Sequence, residues 1–183
     1  MLRTDLLRLT LPNRRNAPPR RLTMPNPTSQ TPRLRPATAA DLPAVERLLT
    51  DAHLPLEGVA GALDAFTVAE AGEGASRALV GVAGLEVCAE NALLRSVAVA
   101  PEWQGRGLGR VLVERVVATA EARGLHALYL LTTTAERYFP SLGFARVERA
   151  DVPDDVRDTD EFRVACPASA VVMEKRLDAH AAS

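Results

Sequence analysis

The sequence is poor in several residue types on which common classes of protein depend. Its 183 residues include no isoleucine, a single lysine, two cysteines and only 4% aromatic residues. Cys88 and Cys166 lie far apart with no Cys or His cluster beside them, which argues against a disulfide framework and against a zinc site. No apolar run approaches the roughly 20 residues that cross a bilayer, so we expect no membrane partner and a cytoplasmic location.

The formal net charge of −1 is unevenly distributed along the chain. Residues 1–33 hold seven Arg and one Asp, a balance of +6, so the remainder carries −7. A mildly acidic domain is a poor candidate for binding nucleic acid. The first 33 residues also contain six prolines and no hydrophobic period, and we predict a disordered tail there. A basic nucleic-acid-binding arm and a natural start at Met24 are the alternatives for this segment.

Hydrophobic periodicity predicts one α/β domain over residues 34–178, followed by a short tail at 179–183. Thr38 and Asp41 have the spacing of a capping box before the first helix. Strands are predicted at 34–35, 66–71, 77–87, 92–99, 127–134, 144–148 and 169–177, and helices within 38–54, 58–66, 108–123 and 135–143. The long helix is expected to bury Leu108, Val111, Leu112, Val116 and Ala120. This order predicts a mixed sheet with helices on both faces.

A glycine-rich segment, QGRGLG at residues 104–109, lies between a predicted strand and the long helix. Free N–H groups at a helix N-terminus attract phosphate, and glycines let the backbone come close to it. The spacing fits neither a dinucleotide fingerprint nor a Walker P-loop, which disfavours nicotinamide and ATP. A turn without a ligand is the alternative. The residues expected to hold a pyrophosphate are Gln104, Gly105, Arg106, Gly107, Gly109 and Arg110.

The stretch SVAVAPEWQGRGLG, the downstream segment YFPSLGF and the element order resemble the GNAT superfamily of acetyl-CoA-dependent N-acetyltransferases over residues 34–177. The resemblance implies an α/β fold with a mixed, mostly antiparallel sheet and a splayed central strand pair. It implies acetyl-CoA as co-substrate and no metal. The pantetheine arm would bond to the backbone of Val97 and Val99, and Phe139 would pack on the cofactor.

The catalytic residues are less regular than the cofactor motif. Many members of the superfamily have a Tyr four positions before the Gly of GF, whereas this chain has Phe139 there and Tyr138 one position earlier. A shift of one residue on a helix rotates a side chain by about 100°. We predict Tyr138 as the proton donor to the leaving thiolate, with solvent as the alternative. Glu86 is the predicted base, Glu90 is a second candidate, and either could be an ordinary carboxylate.

Two further resemblances concern the substrate. LLRSVAVAP resembles acetylglutamate synthases, and TTTAERYFPSLGF with CPASAVVM resembles bacterial arsenic-resistance N-acetyltransferases. They imply a small, glutamate-like amine substrate of the arsinothricin type, whose carboxylate would bind Arg95. An internal Asp or Glu is the alternative partner for Arg95. Three alternative functions stay open: glutamate acetylation in arginine synthesis, acetylation of protein or peptide amines, and a non-catalytic acetyl-CoA sensor. The sequence is compatible with either a monomer or a homodimer.

Overall fold

The structure is a computed structural model that describes residues 31–165 and 169–178. The predicted tail up to residue 30, the tail at 179–183 and Cys166 lie outside the described residues. The first strand begins at Arg33, one residue before the predicted domain boundary. None of the described helices has the length and hydropathy needed to cross a membrane.

Seven strands form one mixed sheet. They are β1 (Arg33–Pro36), β2 (Phe66–Ala71), β3 (Ala78–Cys88), β4 (Asn91–Val99), β5 (Ala127–Thr132), β6 (Ala145–Val147) and β7 (Val171–Arg176). Their order across the sheet is β1-β2-β3-β4-β5-β7-β6. Every neighbouring pair is antiparallel except β4 and β5, which run parallel. The predicted mixed, mostly antiparallel sheet is confirmed.

Helices cover both faces of this sheet. The α-helices are α1 (Leu42–Asp51), α2 (Val59–Ala62), α3 (Leu108–Ala122) and α4 (Asp154–Arg157). The larger hydrophobic core includes side chains of α1, α3 and Leu128 of β5, whereas a smaller cluster joins Val156 of α4 to Tyr129. Successive side chains of a strand point to opposite faces, so these two clusters lie on opposite sides of β5.

The long helix α3 buries a face slightly different from the predicted one. Leu108, Leu112 and Val116 are buried as expected, but Val111 is 45% exposed and Val113 is buried in its place. At about 100° per residue, the buried side chains span an arc of roughly 140°, and position 111 lies about 60° outside it. The prediction for Val111 was therefore wrong. Its spacing of three residues from Leu108 is typical of a helix face, but it places Val111 beside that face and not within it.

The 3₁₀ turn Ala39–Asp41, which leads directly into α1, carries the predicted capping box. Asp41 Oδ2 accepts hydrogen bonds from Thr38 N at 2.7 Å and from Thr38 Oγ1 at 2.8 Å. The guanidinium of Arg35 also donates to both oxygens of Asp41, at 2.7 and 2.8 Å. These bonds from Arg35 hold the pKa of the Asp41 carboxyl well below its usual range.

The centre of the sheet is irregular, and this irregularity positions the site. Between the pairs Val82–Ala98 and Gly84–Arg95, β4 contains one residue more than β3. This is a β-bulge, and Ser96 adopts a left-handed backbone with a φ of 56° there. On the other edge of β4, pairing with β5 stops after Leu93. The two central strands therefore diverge, as predicted, and leave a gap between them.

Candidate active site

The edge of β4 that faces the gap offers main-chain hydrogen-bonding groups. Ala100 N donates to the carbonyl of Val80 in β3 at 2.9 Å. Because alternate residues of a strand direct their N–H and C=O groups to opposite sides, Val97 and Val99 direct theirs into the gap. The Val99 carbonyl accepts a bond from Gln104 Nε2 at 2.9 Å. An extended ligand in the gap would therefore meet an edge like that of an unpaired strand.

The glycine loop begins where this edge ends. Gly105 and Gly107 have left-handed backbones with φ of 71° and 84°, which side chains rarely adopt, and Gly107 caps the N-terminus of α3. A Cβ built on either glycine would meet no atom within 4 Å. The space in front of the first turn of α3 is therefore open, as a phosphate-binding helix terminus requires.

The long side chains of the loop are engaged with the protein. Arg106 lies over the buried ring of Trp103, 5.4 Å from its centroid. Arg110 donates to the carbonyl of Ser141 at 3.0 Å and to Glu114 Oε1 at 3.2 Å. Both guanidinium groups are thus held by contacts with neighbouring side chains or carbonyls of the protein.

At the inner part of the gap lies a cavity of about 140 Å³. Its walls come from the loop after α1, the bulged segment of β4, the end of β5 and the segment before β7. Most of them are apolar, and hydroxyl groups are contributed by Ser96, Thr132 and Thr134. The lining residues are Leu54, Pro55, Leu94, Arg95, Ser96, Val97, Leu130, Leu131, Thr132, Thr134, Ala135, Phe139 and Glu161.

Arg95 lies in this wall with its guanidinium engaged by the protein itself. Its Nη1 donates to Glu86 Oε2 at 2.6 Å, and its Nη2 lies 3.0 Å from Glu161 Oε2. Nη2 also donates to the carbonyl of Glu57, and Gly58 beside it has the φ of 72° typical of glycine. The internal carboxylate, which is the alternative partner for Arg95 in the sequence analysis, is therefore present twice, while the buried Nε of Arg95 has no hydrogen-bond partner among the described residues.

The adjacent aromatic residues Tyr138 and Phe139 at the start of YFPSLGF face different places. Phe139 is buried and lines the cavity. Tyr138 is 40% exposed, and its Oη lies 3.3 Å from the position of a Cβ on Gly109, in the first turn of α3. Burial raises the pKa of the Tyr138 hydroxyl. The Tyr138 hydroxyl therefore lies at the glycine loop, and its role as proton donor to the thiolate stays a prediction.

The two carboxylates predicted as candidate bases, Glu86 and Glu90, do not line the cavity. Glu86 lies on β3 and reaches the cavity only through Arg95. Glu90 lies in the turn between β3 and β4 with its side chain 78% exposed, 3.5 Å from His126 Nδ1. Sequence reasoning missed Glu161, which is 7% exposed and lines the cavity. Glu161 lies in an acidic stretch of the sequence in which no pattern distinguishes one carboxylate from another. Its pairing with Arg95 is visible only in the structure.

No group of metal-binding side chains is present within the residues that the structure describes. Cys88 is buried, and burial raises the pKa of its thiol to about 12. Such a thiol stays protonated at neutral pH and behaves as a small hydrophobic residue of the core.

Comparison with known proteins agrees with this geometry. Residues 62–146 match the family model described as an acetyltransferase (GNAT) domain. A Mycobacterium tuberculosis protein, solved in complex with CoA, superposes with a TM-score of 0.68 at 25% identity, over 80% of this chain and 100% of that one. The fold is that of a GNAT acetyltransferase domain. The N-acetylglutamate synthase from Neisseria gonorrhoeae, solved in complex with coenzyme A and L-arginine, has a similar fold. It superposes with a TM-score of 0.66 at 22% identity, over 80% of this chain and 33% of that one.

Curated relatives match parts of this chain. An amino-acid acetyltransferase of Ralstonia nicotianae is 44% identical over 59 residues, which is 32% of this chain and 13% of the relative. An uncharacterized N-acetyltransferase of Chlorobaculum tepidum is 32% identical over 82 residues, which is 43% of this chain and 52% of the relative. The chain thus spans about an eighth of the first relative's length and about half of the second's.

Proposed function

We propose that this protein is an N-acetyltransferase that moves an acetyl group from acetyl-CoA to the primary amine of a small amino acid. The observation that carries the proposal is the gap between β4 and β5, which runs from the open N-terminus of α3 to a cavity lined by buried charges. Solved neighbours of the same fold contain CoA, and several curated relatives are amino-acid acetyltransferases. An acetyl-CoA substrate favours a cytoplasmic location.

The first part of the proposal concerns the phosphate end of acetyl-CoA. Backbone N–H groups at Gly105, Gly107 and Gly109 would bind the pyrophosphate, because no Cβ keeps it at a distance. Arg106 and Arg110 would add positive charge beside it. Tyr138 belongs to this end of the site, where its hydroxyl would donate to a phosphate oxygen or to the adjoining pantetheine.

The second part concerns the pantetheine arm and the thioester. The arm would lie along β4 and bond to the main chain of Val97 and Val99, as an added strand does. Its amide N–H would take the place of Gln104 at the Val99 carbonyl. Phe139 would supply an apolar wall for the thioester end. In the reaction the amine nitrogen forms the C–N bond with the acetyl carbon, and the C–S bond breaks to release coenzyme A.

The first candidate for the acceptor is a glutamate-like amino acid of the arsinothricin type. Its support is the sequence resemblance together with the amino-acid acetyltransferases among the relatives. For such a substrate, Arg95 would exchange one internal carboxylate for a substrate carboxylate. A second candidate is an amine without an acidic group, which is favoured by the pairing of Arg95 with both Glu86 and Glu161.

A thiol-release assay across a panel of acceptors tests the proposal. The panel contains glutamate, arsinothricin, phosphinothricin, polyamines and peptides with free N-termini, each with acetyl-CoA. We expect release of coenzyme A with at least one small amino acid and little with peptides. Binding of acetyl-CoA in calorimetry without release for any acceptor would instead favour a sensor.

A further inference from the structure

Three segments of the chain meet on the buried guanidinium of Arg95. Its side chain is 1% exposed, and it holds Glu86 of β3 on one side and Glu161 from the segment before β7 on the other. It also holds the carbonyl of Glu57 in the loop before α2. One buried positive charge is therefore shared by two carboxylates, of which the Glu161 side chain is 10% and the Glu86 side chain 24% exposed.

Of the two carboxylates, only that of Glu161 belongs to the cavity wall. Glu161 lines the cavity, and its side chain is only 10% exposed. Glu86 is absent from the lining and lies behind Arg95. Arg95 and Glu161 are the charged members of the lining, and the other members are apolar or carry hydroxyl groups. Electrostatic attraction is strong in such an environment because little water screens it. The wall formed by Glu161 thus favours an incoming cation.

We propose that Glu161 binds the ammonium group of the acceptor and accepts its proton, and that Arg95 is a positioning residue that holds Glu161 against the cavity. The inference rests on the proposed acetyl transfer and names the acceptor as a primary amine that is protonated at neutral pH. Only the neutral amine has the lone pair that attacks a thioester, so the proton must leave first.

The protons of the ammonium group are accounted for in three places. One passes to Glu161 and from there to water. The neutral nitrogen then forms the C–N bond with the acetyl carbon while the C–S bond breaks. A second N–H proton ends on the sulfur of coenzyme A, and the third remains on the product amide. No oxidant, reductant or metal is required.

The test is the substitution Glu161→Gln in the full chain, assayed with the best acceptor of the panel. Glutamine keeps the size of the side chain but accepts no proton. We expect kcat/KM for the amine at pH 7 to fall by about 10²–10⁴-fold, the range of general base catalysis. The affinity for acetyl-CoA, measured by calorimetry, should stay unchanged, because Glu161 is not among the residues that we propose bind the cofactor.

The pH profile separates a proton acceptor from a merely structural residue. With a base in place, the wild-type kcat/KM should be constant between the pKa of the carboxylate and that of the acceptor. In Glu161→Gln only the free amine reacts, so kcat/KM should rise tenfold per pH unit and approach the wild-type value above the acceptor's pKa. A wild-type profile that itself rises tenfold per unit overturns the proposal without any variant.

Two further variants serve as matched controls. Glu86→Gln removes the other carboxylate from the same guanidinium and should keep the flat region of the pH profile. Glu174→Gln on β7, which is paired with Tyr129 outside the cavity, should keep both the profile and the rate. A flat profile in Glu161→Gln overturns the role of Glu161. If instead the wild type releases no thiol with any acceptor, the proposed acetyl transfer itself fails.

Discussion

Replacement of Gly107 by valine tests the glycine loop as the phosphate-binding part of the site. The backbone of Gly107 has a φ of 84°, and a residue with a Cβ loses roughly 1–2 kcal/mol in that left-handed region. For a protein of this size, this corresponds to a Tm about 2–8 °C lower. Nothing lies within 4 Å of the added Cβ, so the fold should persist.

The cost to cofactor binding should be larger than the cost to folding. The valine side chain would stand in the open space where we place the pyrophosphate. Loss of one hydrogen bond from a backbone N–H to a phosphate costs about 1.5–3 kcal/mol, which weakens the Kd for acetyl-CoA roughly 10- to 150-fold. Calorimetry at fixed ionic strength measures this change, while thermal unfolding reports the strain separately.

Gly124→Val is the matched control for this experiment. Gly124 follows the other end of α3, has a φ of 70° and also has no atom within 4 Å of a built Cβ. It should lower the Tm by a similar amount and leave the Kd unchanged. Equal affinities for acetyl-CoA in the two variants would refute the assignment of the loop.

Two other substitutions test the remaining assignments. Tyr138→Phe should weaken acetyl-CoA binding by about 2- to 150-fold, the range from one neutral hydrogen bond to one with a charged phosphate oxygen, and leave kcat within about twofold; an unchanged Kd in calorimetry with a large fall in kcat would instead support the predicted proton-donor role. Asp41→Asn should lower the free energy of unfolding in urea at pH 7 by about 1–2 kcal/mol, since it weakens the capping box and the pairing with Arg35. Because the pKa of Asp41 is held well below its usual value, its contribution is complete above about pH 4 and is lost as the pH falls toward the folded-state pKa, so the difference between wild type and variant should shrink steadily as the pH is lowered from about 4; a constant difference would contradict this.

Local patterns predicted much of the fold because local forces determine those parts. The strand Phe66–Ala71 agrees with its predicted bounds, and α3 begins at Leu108 as predicted. The capping box at Thr38 formed as its spacing required. Each of these features depends on residues within a few positions of one another, so the local sequence is sufficient to predict it.

The site was harder to predict because its contacts join distant segments. Glu161 meets Arg95 across 66 positions, and nothing in the acidic stretch around it marks one carboxylate over another. The placement of Tyr138 depends on the short 3₁₀ turn Phe139–Leu142, which directs Phe139 into the cavity. The glycine loop was predictable because a strand, three glycines and a helix are consecutive in the chain.

The β-bulge at Ser96 implies that the site depends on the number of residues in β4 more than on their identity. Pairing of β4 with β3 is in register on both sides of the bulge, so deletion of Ser96 would leave a regular ladder with β3. A regular strand lacks the bend that a bulge introduces. We expect such a deletion to let β4 continue beside β5 and close the gap by ordinary strand pairing. A single additional residue thus separates a continuous sheet from a sheet with an open gap. We expect insertions and deletions in this strand to be far less tolerated than substitutions.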